Sequence, residues 1–464
     1  MTIRHAGRVV SLISVCFLAA CGVRTSYHAP RTAPAVVRNA DPAYFVERPY
    51  DARWWRQFDD PILERLETGA LQSNLDVQIA VARVTQARSV FDDVKRDRYP
   101  IVTAGASADR REQVVPGFTD EPIQTSTYRA GFDAFWEIDL FGRVRSAVRA
   151  ASATAASFEA TLDDVRVTVA AEVARNYFEL RGLQQQFAVA ERSLANQQET
   201  LRLTRVRRDA GVGEEQDVAS AAARVAAIEA SIPPLRAAIA AREHRLAVLT
   251  ASRPGALSVD LSPRSYAPIA KELPLGEPGQ LLQRRADVRA AERRAAAAGA
   301  REGIAAAELF PRVSISGFLG LLAGRGSAFG SADSRAWAVT PALSWAAFDL
   351  GRVRARLRGA RAGTEEVLAD YEQTVLRALE ETENALVEYR EQQERLVRLA
   401  DQARESTRAA GIARARYREG VADFLSLLDA ERTQLQAEDA VAQAESGVFT
   451  AVVAVYKAFG GIVQ

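Results

Sequence analysis

The feature that most constrains this chain is an internal duplication. The stretch WEIDLFGRVR at 136–145 returns 209 positions later as WAAFDLGRVR at 345–354. At the same spacing, RDAGV at 208–212 meets YREGV at 417–421. A period of about 200 residues is too long for a solenoid unit and indicates a duplicated structural module. We therefore expect two tandem structural repeats, at 54–255 and 277–464, joined by a linker at 256–276.

Each repeat predicts a β-hairpin. Positions 125–138 alternate between apolar and polar side chains, which is typical of a strand with one apolar face. The second repeat keeps this pattern, although Pro341 is poorly placed inside a sheet. We predict strands at about 100–109 and 125–138 in the first repeat, and at about 311–320 and 335–346 in the second.

After each hairpin the hydrophobic period becomes helical. Heptad-like spacing begins near Val173 in the first repeat and near Thr382 in the second. Gly211 and Gly420 then mark sharp reversals of the chain. We predict long helices at about 142–208 and 214–250 in the first repeat, and at about 350–418 and 422–459 in the second.

The four predicted strands match the signature of a transmembrane β-barrel, although a small soluble sheet packed on the helices fits the same pattern. A closed bacterial barrel needs at least about eight strands, because open strand edges are not tolerated in lipid. If the sheet lies in a membrane, several chains must therefore pool their strands. Aromatic residues cap the apolar face at both ends, as a membrane girdle would: Tyr128, Trp136, Trp337 and Trp345.

The N-terminus predicts export. Arg4 and Arg8 precede the apolar run at 9–20, which suits a signal peptide at 1–20 and is too short for a membrane helix. Leu-Ala-Ala-Cys at 18–21 is similar to a bacterial lipoprotein cleavage site. Cys21 would then carry covalent lipid at the start of an extended segment, 21–53; an ordinary signal peptide is the alternative. By the lipoprotein sorting rule, Gly22 implies the outer membrane.

Charge and motifs argue against an enzyme and against a nucleic-acid partner. The chain has 60 basic and 59 acidic side chains, so its net charge offers no attraction for a polyanion. After signal removal only His28 and His244 remain, which excludes a histidine metal cluster. No GxxxxGK or HExxH motif occurs. We expect no catalytic residue, no metal and no cofactor beyond the lipid on Cys21.

Several stretches together resemble the TolC-like outer-membrane efflux channels, in the lipoprotein branch that serves resistance-nodulation-division (RND) drug pumps. The resemblance runs from Trp54 to about Gly461. Ala286 departs from it, because the family usually has proline there. The matching stretches are WWRQFDDPILERLETGALQSNLDV at 54–77, WEIDLFGRVR at 136–145, ARNYFELRG at 174–182, LLQRRADVRAAE at 281–292 and YREGVADFLSLLDAERTQL at 417–435.

The resemblance implies a mixed α and β fold, mostly of long helices, in a homotrimer. Twelve strands would form a barrel in the outer membrane, and a periplasmic α-helical barrel would continue it. The implied function is passive conduction of drugs and toxic compounds from an inner-membrane RND pump and a periplasmic adaptor protein across the periplasm and outer membrane. The alternatives are a channel for protein secretion and a structural coiled-coil periplasmic lipoprotein.

The resemblance also implies roles for individual residues. Leu425 and Asp429 fall where the family places its channel gate; the alternative is core packing for Leu425 and a solvated position for Asp429. The hairpin tips would contact the adaptor. The tip residues are Gly211, Val212 and Gly213 in the first repeat, and Gly420, Val421 and Ala422 in the second.

Overall fold

A computed structural model describes residues 37–49, 52–114, 117, 120–264 and 271–461. Cys21 and the predicted signal peptide lie outside these residues. The fold is mixed α and β and mostly helical, as predicted. The strands are β1 Phe45–Val46, β2 Ile101–Gln113, β3 Ile123–Ile138, β4 Leu273–Pro274, β5 Arg312–Ala323 and β6 Arg335–Ser344. The helices are α1 Pro61–Ser73, α2 Leu75–Arg96, α3 Arg143–Asp209, α4 Glu215–Leu249, α5 Leu281–Arg284, α6 Ala286–Ala307, α7 Leu350–Arg418 and α8 Phe424–Ala458.

The chain divides into two compact units, and each takes stretches from both halves of the sequence. The first unit comprises the described residues of Arg83–Glu159 and Ala290–Glu372. The second comprises the described residues of Thr32–Ala82, Ala160–Arg289 and Gln373–Gln464. The stretches that build each unit thus include matching parts of the duplicated sequence.

The first unit contains an antiparallel sheet in the order β2-β3-β5-β6. Strand β2 runs to Gln113, past the predicted end at about 109, and β6 ends at Ser344, before Trp345. Pro341 lies in β6, which is an edge strand of the sheet within the single chain, where a missing N–H breaks fewer ladder bonds.

The two hairpins of this sheet share one register. Ile101 lies opposite Phe135 in the first, and Arg312 lies opposite Ser344 in the second. A shift of 211 positions carries β2 onto β5, and a shift of 209 carries β3 onto β6. The same shifts therefore convert one pairing scheme into the other.

An aromatic cluster forms part of the core of the second unit. The ring of Trp54 stacks on Tyr456 with centroids 5.4 Å apart. Phe178 lies 4.7 Å from Phe58 and 4.7 Å from Phe449, again between ring centroids. The short 3-10 helix Trp54–Phe58 is held against long helices by these contacts, because aromatic pairs add to the stability that burial alone provides.

Two extended segments are held on the long helices of the second unit by polar contacts. Glu383 of α7 accepts hydrogen bonds from the backbone N–H groups of Arg38 and Asn39, at 2.7 and 3.0 Å. Arg181 of α3, buried with 1% exposure, donates through Nη1 to the carbonyls of Leu261 and Ser262 at 3.1 and 2.6 Å. These contacts fix the N-terminal segment and the linker.

Within the described ranges, no helix combines the length and hydropathy needed to cross a membrane.

Candidate functional site

The first hairpin tip begins with a Schellman motif at the end of α3. The N–H of Val212 donates to the carbonyl of Arg207 at 3.0 Å, and the N–H of Gly211 donates to Arg208 at 2.9 Å. Gly211 has a φ of 74°, in the left-handed region that glycine adopts without strain. The motif leaves Val212 65% exposed at the turn.

The second tip repeats this geometry at the end of α7. The N–H of Val421 donates to the carbonyl of Arg416 at 2.9 Å, and that of Gly420 donates to Tyr417 at 3.1 Å. Gly420 has a φ of 75°, and Val421 is 63% exposed. Each tip therefore presents one exposed valine beside a required glycine. The remaining predicted tip residues, Gly213 and Ala422, are half-buried.

The tips differ in how the returning helix begins. Asp423 caps α8, because its side chain accepts a hydrogen bond from the N–H of Ser426 at 2.6 Å. This hydrogen bond holds the pKa of Asp423 below its usual value. Glu214 occupies the corresponding position before α4 and makes no side-chain cap. Of the two tips, only the second therefore has a side-chain N-cap, which is a role for which Asp is a preferred residue.

A buried cluster that includes Tyr417 joins the helices next to the tips. The Arg207 guanidinium lies 4.7 Å over the Tyr417 ring, and Nη1 of Arg207 donates to the Tyr417 carbonyl at 2.9 Å. The hydroxyls of Thr204 and Tyr417 are 3.4 Å apart. Sequence reasoning missed Tyr417, although YREGV was already matched to RDAGV. The cluster comprises Leu201, Val218, Ala221, Val225, Tyr417, Phe424 and Leu427.

Leu425 and Asp429 lie on the exposed side of α8. Leu425 is 61% exposed, whereas Leu427 is 1% exposed and belongs to the buried cluster. Asp429 is exposed and forms an ion pair with Arg432 at 2.6 Å. A spacing of four residues places Leu425 and Asp429 on one helix face. Leu425 is therefore not a core residue of the single chain.

Glu431 is a second residue near this position that sequence reasoning missed. Its carboxylate accepts a hydrogen bond from Arg414 Nε at 3.0 Å and lies 3.4 Å from the Thr200 hydroxyl. Burial raises the pKa of Glu431, while Arg414 opposes that rise. The ion pair ties α8 to α7, and the threonine adds a contact from α3.

The sheet of the first unit has one strongly apolar face that is open in the single chain. Phe132 lies opposite Leu319, and Leu319 lies opposite Trp337. These side chains are 57%, 65% and 76% exposed. A contiguous exposed apolar surface of this kind marks a contact with membrane or protein.

The predicted girdle residues occupy different environments. Tyr128 is half-buried, whereas Trp337 is exposed. Trp136 Nε1 donates to the carbonyl of Arg98 at 3.1 Å. Trp345 Nε1 makes the matching bond to Leu309 at 3.0 Å, just after β6 has ended. Both tryptophans therefore tie a strand end to the turn before a hairpin.

No group of three or more His, Cys, Asp or Glu side chains is arranged to hold a metal ion in the part of the chain that the structure describes.

Comparisons with known proteins agree with this geometry. A family model described as outer membrane efflux protein matches residues 68–252 and 278–461. The antibiotic efflux pump outer membrane protein ArpC of Pseudomonas putida is 30% identical over 460 residues, covering 97% of this chain and 94% of that protein. Outer membrane protein OprJ of Pseudomonas aeruginosa is 29% identical over 459 residues, covering 98% and 95%.

Among solved structures, the outer-membrane channel OprN shares 50% sequence identity with this chain at a TM-score of 0.92. The match covers 94% of this chain and 98% of the OprN chain. Since the family model spans most of the sequence in two stretches, this chain belongs to the outer membrane efflux protein family, whose members are non-enzymatic transport channels of the outer membrane.

Proposed function

We propose that this protein is the outer-membrane channel of a tripartite efflux system and works as a homotrimer. Three copies of the four-stranded sheet would close a twelve-stranded barrel in the outer membrane. The long helices would continue it as an α-helical barrel in the periplasm. Small molecules delivered by an RND pump and its adaptor would pass through unchanged, and lipid on Cys21 would add a second anchor.

The observation that carries this proposal is an apolar sheet with two open edges. Phe132, Leu319 and Trp337 expose one face, and β2 and β6 each lack a neighbour on one side within the described chain. Unpaired strand edges are too costly in lipid. Pairing β6 of one copy with β2 of the next removes both edges and leaves the apolar face toward the hydrocarbon.

The relatives support the assignment to efflux. ArpC is named as the outer membrane protein of an antibiotic efflux pump, and OpmQ of Pseudomonas putida, 32% identical over 425 residues, as a pyoverdine export protein. By analogy, we assign adaptor contact to the tips, where Val212 and Val421 are exposed beside Gly211 and Gly420. The remaining proposed contacts are Gly213 and Ala422.

We assign the channel gate to Leu425 and Asp429. Both side chains are available to a neighbouring copy or to the lumen, because Leu425 is 61% exposed and Asp429 contacts only the exposed Arg432 among the ion pairs described. Three symmetry-related aspartates would form a like-charge ring, which is unfavourable unless water or a cation occupies it. Such a ring suits a narrowing that opens on contact with a partner.

The proposal is tested by ion conductance of the purified protein in a planar bilayer. We expect low wild-type conductance and a several-fold rise in Leu425→Ala/Asp429→Ala, because the side chains of the gate are removed. Gln216→Ala/Ser220→Ala, at the matched positions of the first repeat, is the control and should behave as wild type.

Two outcomes contradict the proposal in different ways. High conductance that the gate substitutions leave unchanged would remove the gate but keep the channel. Absence of current from all three proteins, despite insertion into the bilayer, would rule out the channel and favour a structural lipoprotein.

A further inference from the structure

The polar face of the four-stranded sheet carries its charges as ion pairs. This face holds the residues that alternate along the strands with those of the apolar face. Every charged side chain that the register places on it, within the described strands, has a partner of opposite sign. The pairs are Asp109 with Arg111 at 2.7 Å, Arg129 with Asp133, Glu137 with Arg143 at 2.7 Å, and Arg312 with Glu308 at 3.4 Å.

The Arg129–Asp133 pair has the most demanding geometry. Four residues of extended strand span about 13 Å, so these side chains meet only if both lie along the strand. Arg129 Nη1 donates to Asp133 Oδ2 at 3.0 Å, and the guanidinium also lies 4.0 Å from the ring centroid of Phe318 on β5. The ion pair and the cation–π contact hold the arginine flat against the sheet.

Two glycines make room for this arrangement. Gly131 lies between Arg129 and Asp133 on the same face, directly opposite Gly320. A Cβ on Gly131 would come within 2.8 Å of Phe318 Cε2 and 2.7 Å of the Gly320 Cα. Any side chain at this position would therefore displace the ring on which Arg129 stacks.

We propose that Arg129 and Asp133 lie at the pore lining and neutralise each other, so that the wall at this level carries no net charge and anionic and cationic substrates pass alike. This inference rests on the proposed function, in which the polar face lines the pore. The pair lies midway along β3, and each of three chains would contribute one copy. The Phe318 ring and the two glycines keep the pair against the wall rather than across the lumen.

Each partner neutralises the other, so removing one of them changes the ion selectivity in a predictable direction. Without Asp133, three arginines lose their ion-pair partner and face the lumen, where they attract anions and repel cations. Without Arg129, three aspartates do the reverse. An unscreened unit charge about 8 Å from an ion in water changes its local population roughly twofold, which sets the size of the expected effect.

The experiment measures the reversal potential of single channels under a KCl gradient. All variants are made in the Leu425→Ala/Asp429→Ala protein, so that the gate does not limit the current. We expect a reversal potential near zero for this parent. Asp133→Asn should shift the permeability ratio toward anions and Arg129→Gln toward cations, each roughly twofold or more. The double variant Arg129→Gln/Asp133→Asn should return to the parental value.

Arg335→Gln is the matched control, because Arg335 lies on the opposite face of the same sheet, across from Leu321. It should leave the reversal potential unchanged. Because the two single substitutions should shift the reversal potential in opposite directions, the inference can be tested even if only one of the two variants assembles into a channel. Conducting channels whose selectivity neither substitution alters would overturn this inference alone. Absence of conductance in every protein would instead overturn the proposed function, and this inference with it.

Discussion

At the scale of single residues, Glu67 is an acidic side chain in an unfavourable, fully buried environment. It lies in α1 with 0% exposure, and both carboxyl oxygens are buried without a charged or polar side-chain partner among the described residues. Burial raises the pKa of Glu67 well above its usual value and repulsion by the nearby Glu64 adds to the rise, while a backbone hydrogen bond at Ala174 opposes it. Such surroundings favour the neutral form of the carboxyl group over the charged form.

This environment predicts a specific dependence of stability on pH. When the folded-state pKa of a carboxyl group is raised, its contribution to stability is complete below the unfolded pKa, about 4.3, and is lost as pH rises through the folded pKa. We expect Glu67→Leu to raise the free energy of unfolding by about 1–3 kcal/mol at neutral pH. The gain should shrink toward about pH 4. Denaturant unfolding across this range is the measurement.

Glu229→Leu is the control, because Glu229 is an exposed glutamate on α4. It should change stability little and without this pH dependence. If Glu67→Leu raised the free energy of unfolding equally at all pH values, the cost of burying the charged carboxylate would not be the cause.

At the scale of secondary-structure elements, the two helical hairpins offer a natural pair for comparison. Glu214 and Asp423 hold the N-cap positions of α4 and α8, 209 residues apart, but only Asp423 makes a side-chain cap. We expect Asp423→Ala to destabilise the start of α8 by about 1 kcal/mol, because it removes the bond to the Ser426 N–H. Glu214→Ala should have a much smaller effect on α4.

Amide hydrogen exchange in the first turn of each helix measures this difference. Faster exchange near Ser426 in Asp423→Ala, with little change at the start of α4 in Glu214→Ala, is the expected result. Equal effects in both hairpins would show that the tips are stabilised by their turns and not by the cap.

At the scale of the whole molecule, the shared register of the hairpins predicts how neighbouring copies pair. Asp133 of β3 lies opposite Phe318 of β5. The shifts of 209 and 211 that relate the two hairpins carry these positions to Ala342 of β6 and Ser107 of β2. In the proposed trimer, Ala342 should therefore lie opposite Ser107 of the neighbouring chain.

A cysteine pair tests this register directly. We expect Ser107→Cys/Ala342→Cys to form disulfides between chains on oxidation, since directly opposed strand residues bring the Cα atoms within bonding range. Covalent trimers on a non-reducing gel are the measurement. Arg111→Cys/Ala342→Cys, four residues out of register on the same face, is the control. Efficient cross-linking of the control, or none in either protein, would contradict the predicted pairing.

Local patterns in the sequence were sufficient where the physical cause is local. Strict alternation predicted β3, and the matched glycines predicted the turns at Gly211 and Gly420, which have positive φ. The same reasoning placed the end of β2 too early. Positions 109–113 are mostly charged on both faces, so they lack the alternation that marks a strand, and only pairing with Thr125 and its neighbours reveals it.

By itself, the sequence determined the duplication and the order of strands and long helices, because these follow from spacings along the chain; the resemblance to the family rested on the matching stretches. Only the tertiary structure decided which polar side chains are buried or paired. Arg181 holds the linker, Glu431 meets Arg414, and Arg129 stacks on Phe318. These partners are brought together by folding, so periodicity, which reports which face of an element is apolar, carries no information about them.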